Sequence, residues 1–115
     1  MSQPITISDR VDPARAAALL TTLGLPDTSG IGADLPPCAH FAFFWDAVPE
    51  EGLAHDGHPK LGGMIPDLGL PIRMWAGGRM TFHGPFRSGV AADKVTRLQN
   101  VTQKEGKSGK LAFVT

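Results

Sequence analysis

The sequence has few of the features from which a function can be inferred directly. It has one cysteine, Cys38, in 115 residues, which excludes an internal disulfide framework and a zinc site built on several cysteines. We interpret this thiol as buried and inert, because no activating motif surrounds it. No apolar run is long enough for a membrane span, and the N-terminus lacks the basic start and apolar stretch of a signal peptide. The sequence therefore predicts a soluble, cytoplasmic protein with no membrane partner.

Familiar catalytic and nucleotide-binding signatures are also missing. The sequence contains no P-loop, no dinucleotide fingerprint, no zinc-protease helix and no nucleophile elbow. We therefore expect neither a cofactor nor a bound metal. The overall charge is balanced, with 11 basic and 11 acidic residues, which argues against a nucleic-acid partner.

The charges are unevenly distributed along the chain. Residues 1–59 contain eight acidic and two basic side chains, whereas residues 60–115 contain nine basic and three acidic ones. Two interpretations stay open. Either the two halves fold together and neutralise each other, or part of the basic half attracts a phosphorylated ligand.

One short helix is predicted near the N-terminus. Asp12 is a favourable N-cap, and Pro13 suits the first helical position, where its missing N–H is not needed. Gly24 is a typical residue for the end of the helix. Between these signals an apolar stripe recurs at helical spacing, formed by Ala16, Leu19, Leu20 and Leu23.

Other segments have the pattern of strands. Large aromatic side chains occupy alternate positions at Phe41, Phe43 and Trp45, which would place them on one face of a strand. Strands are also favoured at residues 79–86, 93–104 and 111–114. A turn at residues 104–110 joins the last two into a hairpin, whose final strand is apolar enough for burial on both faces.

The organisation of the chain suggests a part of a larger sheet. Residues 48–70 are predicted to form an irregular loop rich in proline and glycine. The sequence ends with the apolar strand, and we expect a fragment or split half whose sheet is completed by another repeat or another copy.

The most polar cluster is His55-Asp56-Gly57-His58-Pro59. Two histidines and a carboxylate on one loop suit acid–base chemistry or metal ligation. The residues alone favour the alternative, a solvated loop in which Asp56 accepts backbone amides as an Asx turn.

Three segments taken together resemble one enzyme family. They are Asp56-Gly57-His58-Pro59, the segment from Arg73 to His83 (RMWAGGRMTFH) and the segment from Lys104 to Thr115 (KEGKSGKLAFVT). In combination they are similar to the N-terminal half of the MaoC-like hydratases, in particular those that act on mesaconyl-CoA, 3-methylfumaryl-CoA or itaconyl-CoA. The sequence departs from the family pattern at Ile72 and Lys107, where the family usually has arginine.

The resemblance implies a fold and an activity. The fold is an α+β hot-dog domain over residues 1–115, with an antiparallel sheet and a short or irregular central helix, incomplete as a single chain. The activity is hydration of a short branched or dicarboxylic enoyl-CoA, with this chain as the non-catalytic half, because the family's hydrating Asp and His lie in the C-terminal repeat. The implied partners are the acyl-CoA thioester and a second hot-dog repeat or a homo-oligomer.

The resemblance also implies roles for individual residues. The acyl pocket is expected to contain Arg73, Trp75, Gly77, Gly78 and His58. The CoA phosphates are expected to meet Lys104, Lys107 and Ser108, and no residue of this chain is expected to be catalytic. Two alternatives stay open: a stand-alone acyl-CoA-binding or scaffolding subunit that pairs with a separate catalytic subunit, and a one-repeat thioesterase.

Overall fold

The computed structural model describes residues 3–115, which form two compact units. The helix unit comprises Thr6–Asp46 and Arg79–Lys94. The hairpin unit comprises Ala47–Gly78, Val95–Thr115 and the described residues before Thr6. The described strands pair two by two and accompany one short α-helix, which confirms the predicted α+β class. No helix within residues 3–115 combines the length and hydrophobicity that crossing a membrane requires.

The helix unit is organised around α1, Pro13–Thr22. The Asp12 side chain accepts the backbone N–H of Ala14 at 2.9 Å, as expected of an N-cap. Gly24 has a φ of 69°, in the left-handed region that favours glycine, and the helix ends before it. The predicted helix is confirmed, although Leu23 at the end of the apolar stripe is exposed.

Short strands and an aromatic core complete the helix unit. β2 (Asp34–Leu35) pairs antiparallel with β3 (Phe86–Arg87). β1 (Ile5–Asp9) pairs with β4 (Ala92–Thr96), and both strands belong to this unit except for Ile5 and the last two residues of β4. Burial of a valine, leucine or phenylalanine side chain stabilises the fold by about 1.5–3 kcal/mol, and burial of an alanine methyl by less. The buried hydrophobic side chains are Val11, Ala16, Leu20, Leu35, Ala39, Phe43 and Phe44.

The prediction of a strand through Phe41, Phe43 and Trp45 is wrong. A 3-10 helix occupies Ala39–Ala42, and the chain then places two adjacent rings, Phe43 and Phe44, in the core. Because Phe44 has a left-handed φ of 60°, the alternation of an extended strand is broken at this point. Phe41 and Trp45, which the pattern placed in the core, are 68% and 70% exposed.

Two further expectations about the helix unit are wrong. The strand predicted from residue 79 to residue 86 is reduced to β3, because Pro85 has no N–H for a strand ladder and the segment before it is irregular. Cys38, expected to be buried, is exposed at the start of the 3-10 helix. Its Sγ lies 3.9 Å from the Sδ of Met80.

The hairpin unit contains the predicted C-terminal hairpin. β5 (Val101–Gly106) and β6 (Gly109–Val114) pair antiparallel, with Val101 opposite Val114 and Gly106 opposite Gly109. The strand predicted for residues 93–104 is confirmed in two parts, since β4 ends at Thr96 and β5 begins at Val101.

The two faces of this hairpin differ in their surroundings. Alternation along β6 places Ala112 and Val114 on one face and Leu111 and Phe113 on the other. Ala112 and Val114 line a cleft of the hairpin unit, although Val114 is still 39% exposed. Leu111 and Phe113, on the other face, are 56% and 44% exposed. The expectation that this strand is buried on both faces is therefore wrong, because large side chains stay exposed on both faces and only the face of Ala112 and Val114 borders a cleft.

Candidate functional site

A closed loop in the hairpin unit carries the polar cluster. It follows a 3-10 helix at Glu50–Gly52 and is closed by an isolated β-bridge between Leu53 and Pro59. Inside the loop, the backbone N–H of Ala54 donates to the carbonyl of His58 at 2.7 Å. Gly57, with a φ of 82°, allows the turn between them. The loop is thus fixed by backbone hydrogen bonds.

Asp56 lies at the centre of this loop and is ionised at neutral pH. Its Oδ1 accepts the backbone N–H of His58 at 3.1 Å, which is the Asx turn that the residues alone favoured. Its Oδ2 lies 3.4 Å from Nδ1 of His58 and 3.5 Å from Nε of Arg73. The His58 amide, followed by the positive charge of Arg73, holds the pKa of Asp56 below its ordinary value.

Arg73 is anchored on the same loop by one side of its guanidinium. Nη2 donates to the carbonyl of Pro59 at 2.7 Å, and Nε faces Asp56. The Arg73 side chain is only 25% exposed. Within residues 3–115, its Nη1 makes no hydrogen bond or ion pair, so part of a five-donor group is available for a ligand.

Two clefts of the hairpin unit meet at Arg73. The apolar cleft, of about 250 Å³, lies between residues 61–74 and the face of β6 that carries Ala112 and Val114. Its aliphatic wall includes Leu61, Ile65, Leu68, Leu70, Ile72 and Met74, of which the last two are 78% and 86% exposed. The polar cleft, of about 310 Å³, is lined by charged and imidazole side chains, namely His55, Asp56, Lys60, Asp67 and Arg73. An apolar cleft with a few directed polar groups at its edge is the usual form of a small-molecule site.

The arrangement suits a ligand with a short apolar part and an anionic group. The aliphatic wall favours the apolar part, and the Arg73 guanidinium favours a carboxylate or phosphate oxygen. No group of three histidine, cysteine or acidic side chains within residues 3–115 is placed to hold a metal ion.

The structure brings together part of the predicted acyl-pocket set. Arg73 lines both clefts, and His58 contacts Asp56 beside them. Trp75 is 83% exposed and lies over Gly78, where an added Cβ would come within 2.8 Å of the indole ring. Gly77 has open space around its α-carbon. Neither Trp75 nor the two glycines line the clefts at Arg73, and their contact with an acyl group stays a prediction.

The predicted phosphate-binding residues lie elsewhere on the hairpin. The Nζ of Lys104 is 5.3 Å from the centroid of the Phe113 ring, on the exposed face. Lys107 and Ser108 form the exposed turn between β5 and β6. Their role toward CoA also stays a prediction.

The aliphatic wall is what the sequence reasoning missed. Residues 48–70 were interpreted as a loop, with no pocket-forming role for the side chains within it. A usable signal is present: large aliphatic residues continue through the proline- and glycine-rich stretch at Leu61, Ile65, Leu68 and Leu70. A solvated loop has little reason to contain so many of them.

The Asp56–Arg73 contact makes a prediction for titration. In the wild type, Asp56 is expected to titrate below its reference pKa of 3.8. Arg73→Met is expected to move the pKa of Asp56 upward but not fully to the reference, because the His58 amide, the larger cause, remains. Carboxyl-detected NMR across an acid titration measures both values. Arg97→Met, an exposed arginine of the same unit outside both clefts, is the control, and an equal shift in that variant would contradict the assignment.

Comparison with known proteins supplies independent information. A family model for hydroxyacyl-thioester dehydratase type 2 matches residues 38–114, which include both clefts and the hairpin. The chain is also 42% identical over 110 residues to a mesaconyl-C(4)-CoA hydratase of Chloroflexus aurantiacus. That match covers 95% of this chain but 39% of the relative, so the chain spans well under half of the relative's length.

Proposed function

Since the chain belongs to the hydroxyacyl-thioester dehydratase type 2 family, a hot-dog family, we propose that it is the substrate-binding, non-catalytic half of an acyl-CoA hydratase. The reaction is the addition of water to a short enoyl-CoA of the kind named for the Chloroflexus aurantiacus relative. The observation that carries the proposal is the apolar cleft with Arg73 at its edge. Its volume of about 250 Å³ lies below the roughly 300–1,000 Å³ of ordinary ligand pockets and suits a short acyl group.

The chemistry of hydration explains why a binding half is needed. Water adds across the double bond of the enoyl thioester when a base takes its proton, an acid protonates the α-carbon and hydrogen-bond donors stabilise the thioester oxygen. These groups act only if the acyl chain is held in one orientation. In this proposal the present chain holds the acyl group, and the second hot-dog domain contributes the Asp and His that act on water.

The local geometry supports a non-catalytic role for this half. Asp56 is the carboxylate nearest to a histidine here, and it is engaged with the His58 amide and with Arg73. A carboxylate whose pKa is lowered in this way is a weak base, because efficient general bases have a pKa near the working pH.

The exposed face of the hairpin supports a partner domain. Leu111 and Phe113 are large apolar side chains on the open face of β5 and β6. The relative has more than half of its length outside the matched region, which is enough for a second hot-dog domain. We therefore assign this face to contact with that second domain.

A second function uses the same features. The chain can act as a stand-alone acyl-CoA-binding or scaffolding subunit that pairs through this hairpin face with a separate catalytic subunit. The exposed hairpin face with Leu111 and Phe113 is as consistent with a separate catalytic subunit as with a covalently linked domain. Production of the catalytic domain as a separate polypeptide distinguishes the two, because the alternative requires stable pairing without a covalent link.

Acyl-CoA binding tests the proposal directly. Mesaconyl-C(4)-CoA is titrated into the 115-residue chain, and backbone amide shifts are followed by NMR. We expect the largest shifts at residues 61–74 and at Ala112 and Val114, which line the apolar cleft. Free CoA, which has no acyl group, is the control and is expected to leave these signals in place. Saturating titration without any shift in the cleft would overturn the proposal.

A further inference from the structure

We propose that Arg73 selects dicarboxylic substrates by binding the free carboxylate of the acyl group, at the point where the apolar and polar clefts meet. The inference rests on the proposed function and specifies its substrate class as enoyl-CoA thioesters with a distal carboxylate. In this inference, the Arg73 side chain discriminates between such thioesters and thioesters whose distal group is a methyl group.

Two contacts orient the Arg73 guanidinium. Its Nε side faces Asp56 at 3.5 Å, and Nη2 donates to the Pro59 carbonyl at 2.7 Å. These two contacts fix the plane of the group while the Nη1 hydrogens have no partner within residues 3–115. A guanidinium held in this way can present its Nη1–Nη2 end to a carboxylate with little further loss of side-chain freedom.

The charges around Arg73 are nearly balanced. The polar cleft contains two acidic side chains, Asp56 and Asp67, and two basic ones, Lys60 and Arg73, with the imidazole of His55 beside them. Because these charges largely offset one another, a general electrostatic field does not explain anion binding here. Selectivity must come from directed hydrogen bonds, and the guanidinium is the group that forms paired bonds to a carboxylate.

Arg73 is the charged side chain that lines the apolar cleft. The other walls of the cleft are aliphatic side chains from residues 61–74 and β6. Ile72 and Met74 are largely exposed, so the cleft is open on their side. A carboxylate placed against the aliphatic side chains still loses part of its hydration without gaining a partner, which is unfavourable. A short acyl chain in this cleft therefore has one favourable position for its free carboxylate, beside Arg73.

The test compares two thioesters that differ only at the distal group. In mesaconyl-C(4)-CoA this group is a carboxylate, and in 3-methylcrotonyl-CoA it is a methyl group. Dissociation constants for both are measured by calorimetry with the 115-residue chain. Arg73→Met is expected to weaken binding of mesaconyl-C(4)-CoA by about 100-fold, through loss of charge-assisted hydrogen bonds, and to change binding of 3-methylcrotonyl-CoA by less than about threefold.

Two further variants complete the design. Arg97→Met removes an exposed arginine of the same unit outside both clefts, and it is expected to leave both dissociation constants unchanged. Arg73→Lys keeps the charge but loses the planar fork, and we expect about a tenfold loss for the dicarboxylic thioester alone. If Arg73→Met fails to fold, Arg73→Lys gives the same discrimination.

The outcomes separate this inference from the proposed function. Equal weakening of both thioesters by Arg73→Met and Arg73→Lys would mean that Arg73 contacts CoA or supports the cleft, and it would overturn the inference while acyl-CoA binding stands. A wild-type chain that binds neither thioester would overturn both proposals.

Discussion

Replacing Asp9 by alanine is expected to lower the free energy of unfolding by about 3 kcal/mol. The carboxylate accepts two backbone N–H groups, from Val11 at 2.7 Å and from Phe44 at 2.9 Å. Hydrogen bonds to a charged acceptor contribute about 1.5–3 kcal/mol each, and partial exposure places these near the lower end. Natural domains of this size have about 5–15 kcal/mol of stability, so this single change removes a large share of it.

Backbone strain explains why these two bonds matter. Val11 and Phe44 have φ values of 54° and 60°, which residues other than glycine rarely adopt. Such residues cost about 1–3 kcal/mol each and persist only when their surroundings hold them. Both are buried in the core of the helix unit, and one carboxylate holds both.

Denaturant unfolding followed by circular dichroism measures the effect. Asp67→Ala is the matched control, because the Asp67 carboxylate accepts one exposed local N–H, from Gly69 at 2.9 Å. We expect that control to lose less than about 1 kcal/mol. A loss below about 1 kcal/mol in Asp9→Ala itself would show that the strained residues are held by packing alone.

The same residue predicts a dependence on pH. The pKa of Asp9 is lowered, first by the Phe44 amide and then by the Val11 amide and Arg15, against an opposing effect of burial. Its contribution to stability is therefore present above the unfolded-state pKa and is lost as the pH falls through the lower folded-state pKa. The stability difference between the wild type and Asp9→Asn is expected to shrink on acidification over that range.

Replacing Leu111 by aspartate is expected to disable assembly of the complete enzyme without unfolding this chain. Leu111 is 56% exposed on the open hairpin face, opposite Lys104, which can accept an acidic neighbour across the strands. In the assembled protein this face is proposed to be covered, and an unpaired carboxylate in an apolar contact is strongly unfavourable. We expect about a 100-fold loss of kcat/KM, which corresponds to about 2.7 kcal/mol.

A chimera makes this measurement possible. In it, the present chain replaces the matching segment of the Chloroflexus aurantiacus mesaconyl-C(4)-CoA hydratase. Leu23→Asp is the control, because Leu23 is 57% exposed in the helix unit and has no place in the clefts or on the hairpin. Activity kept in Leu111→Asp, or lost equally in Leu23→Asp, would remove the hairpin face from the proposed contact.

Local signals account for the elements that were predicted correctly. Asp12, Pro13 and Gly24 act within one turn of α1, so their residue types suffice to define the helix. The β5–β6 turn is likewise defined by the glycines and lysines that form it. In both elements the deciding contacts join residues close together in sequence.

Long-range contacts account for the main error in the fold. The N–H of Phe44 is held by Asp9, which lies 35 positions earlier in the sequence. Nothing in the alternating aromatic pattern of Phe41, Phe43 and Trp45 reveals that contact. A pattern that favours a strand is thus overridden by a distant carboxylate that stabilises a left-handed residue.

The candidate site was predicted in part for the same reason. Arg73 and His58 lie in segments with distinctive residue types, and the structure places both beside Asp56. The apolar cleft forms only when the irregular segment 61–74 folds against β6, and its residues follow neither a helical nor a strand period. Sequence patterns predict surfaces whose residues recur at a helical or strand period. A cleft wall formed by an irregular loop has no such period and is therefore not predicted.

Hydration of mesaconyl-C(4)-CoA by the isolated chain and by the chimera tests the central claim most directly. If this chain is a substrate-binding half that lacks the groups acting on water, the chimera forms hydrated product and the isolated chain binds the thioester without turnover. Turnover by the isolated chain that His58→Ala abolishes would contradict the claim, because it would locate the chemistry in this half.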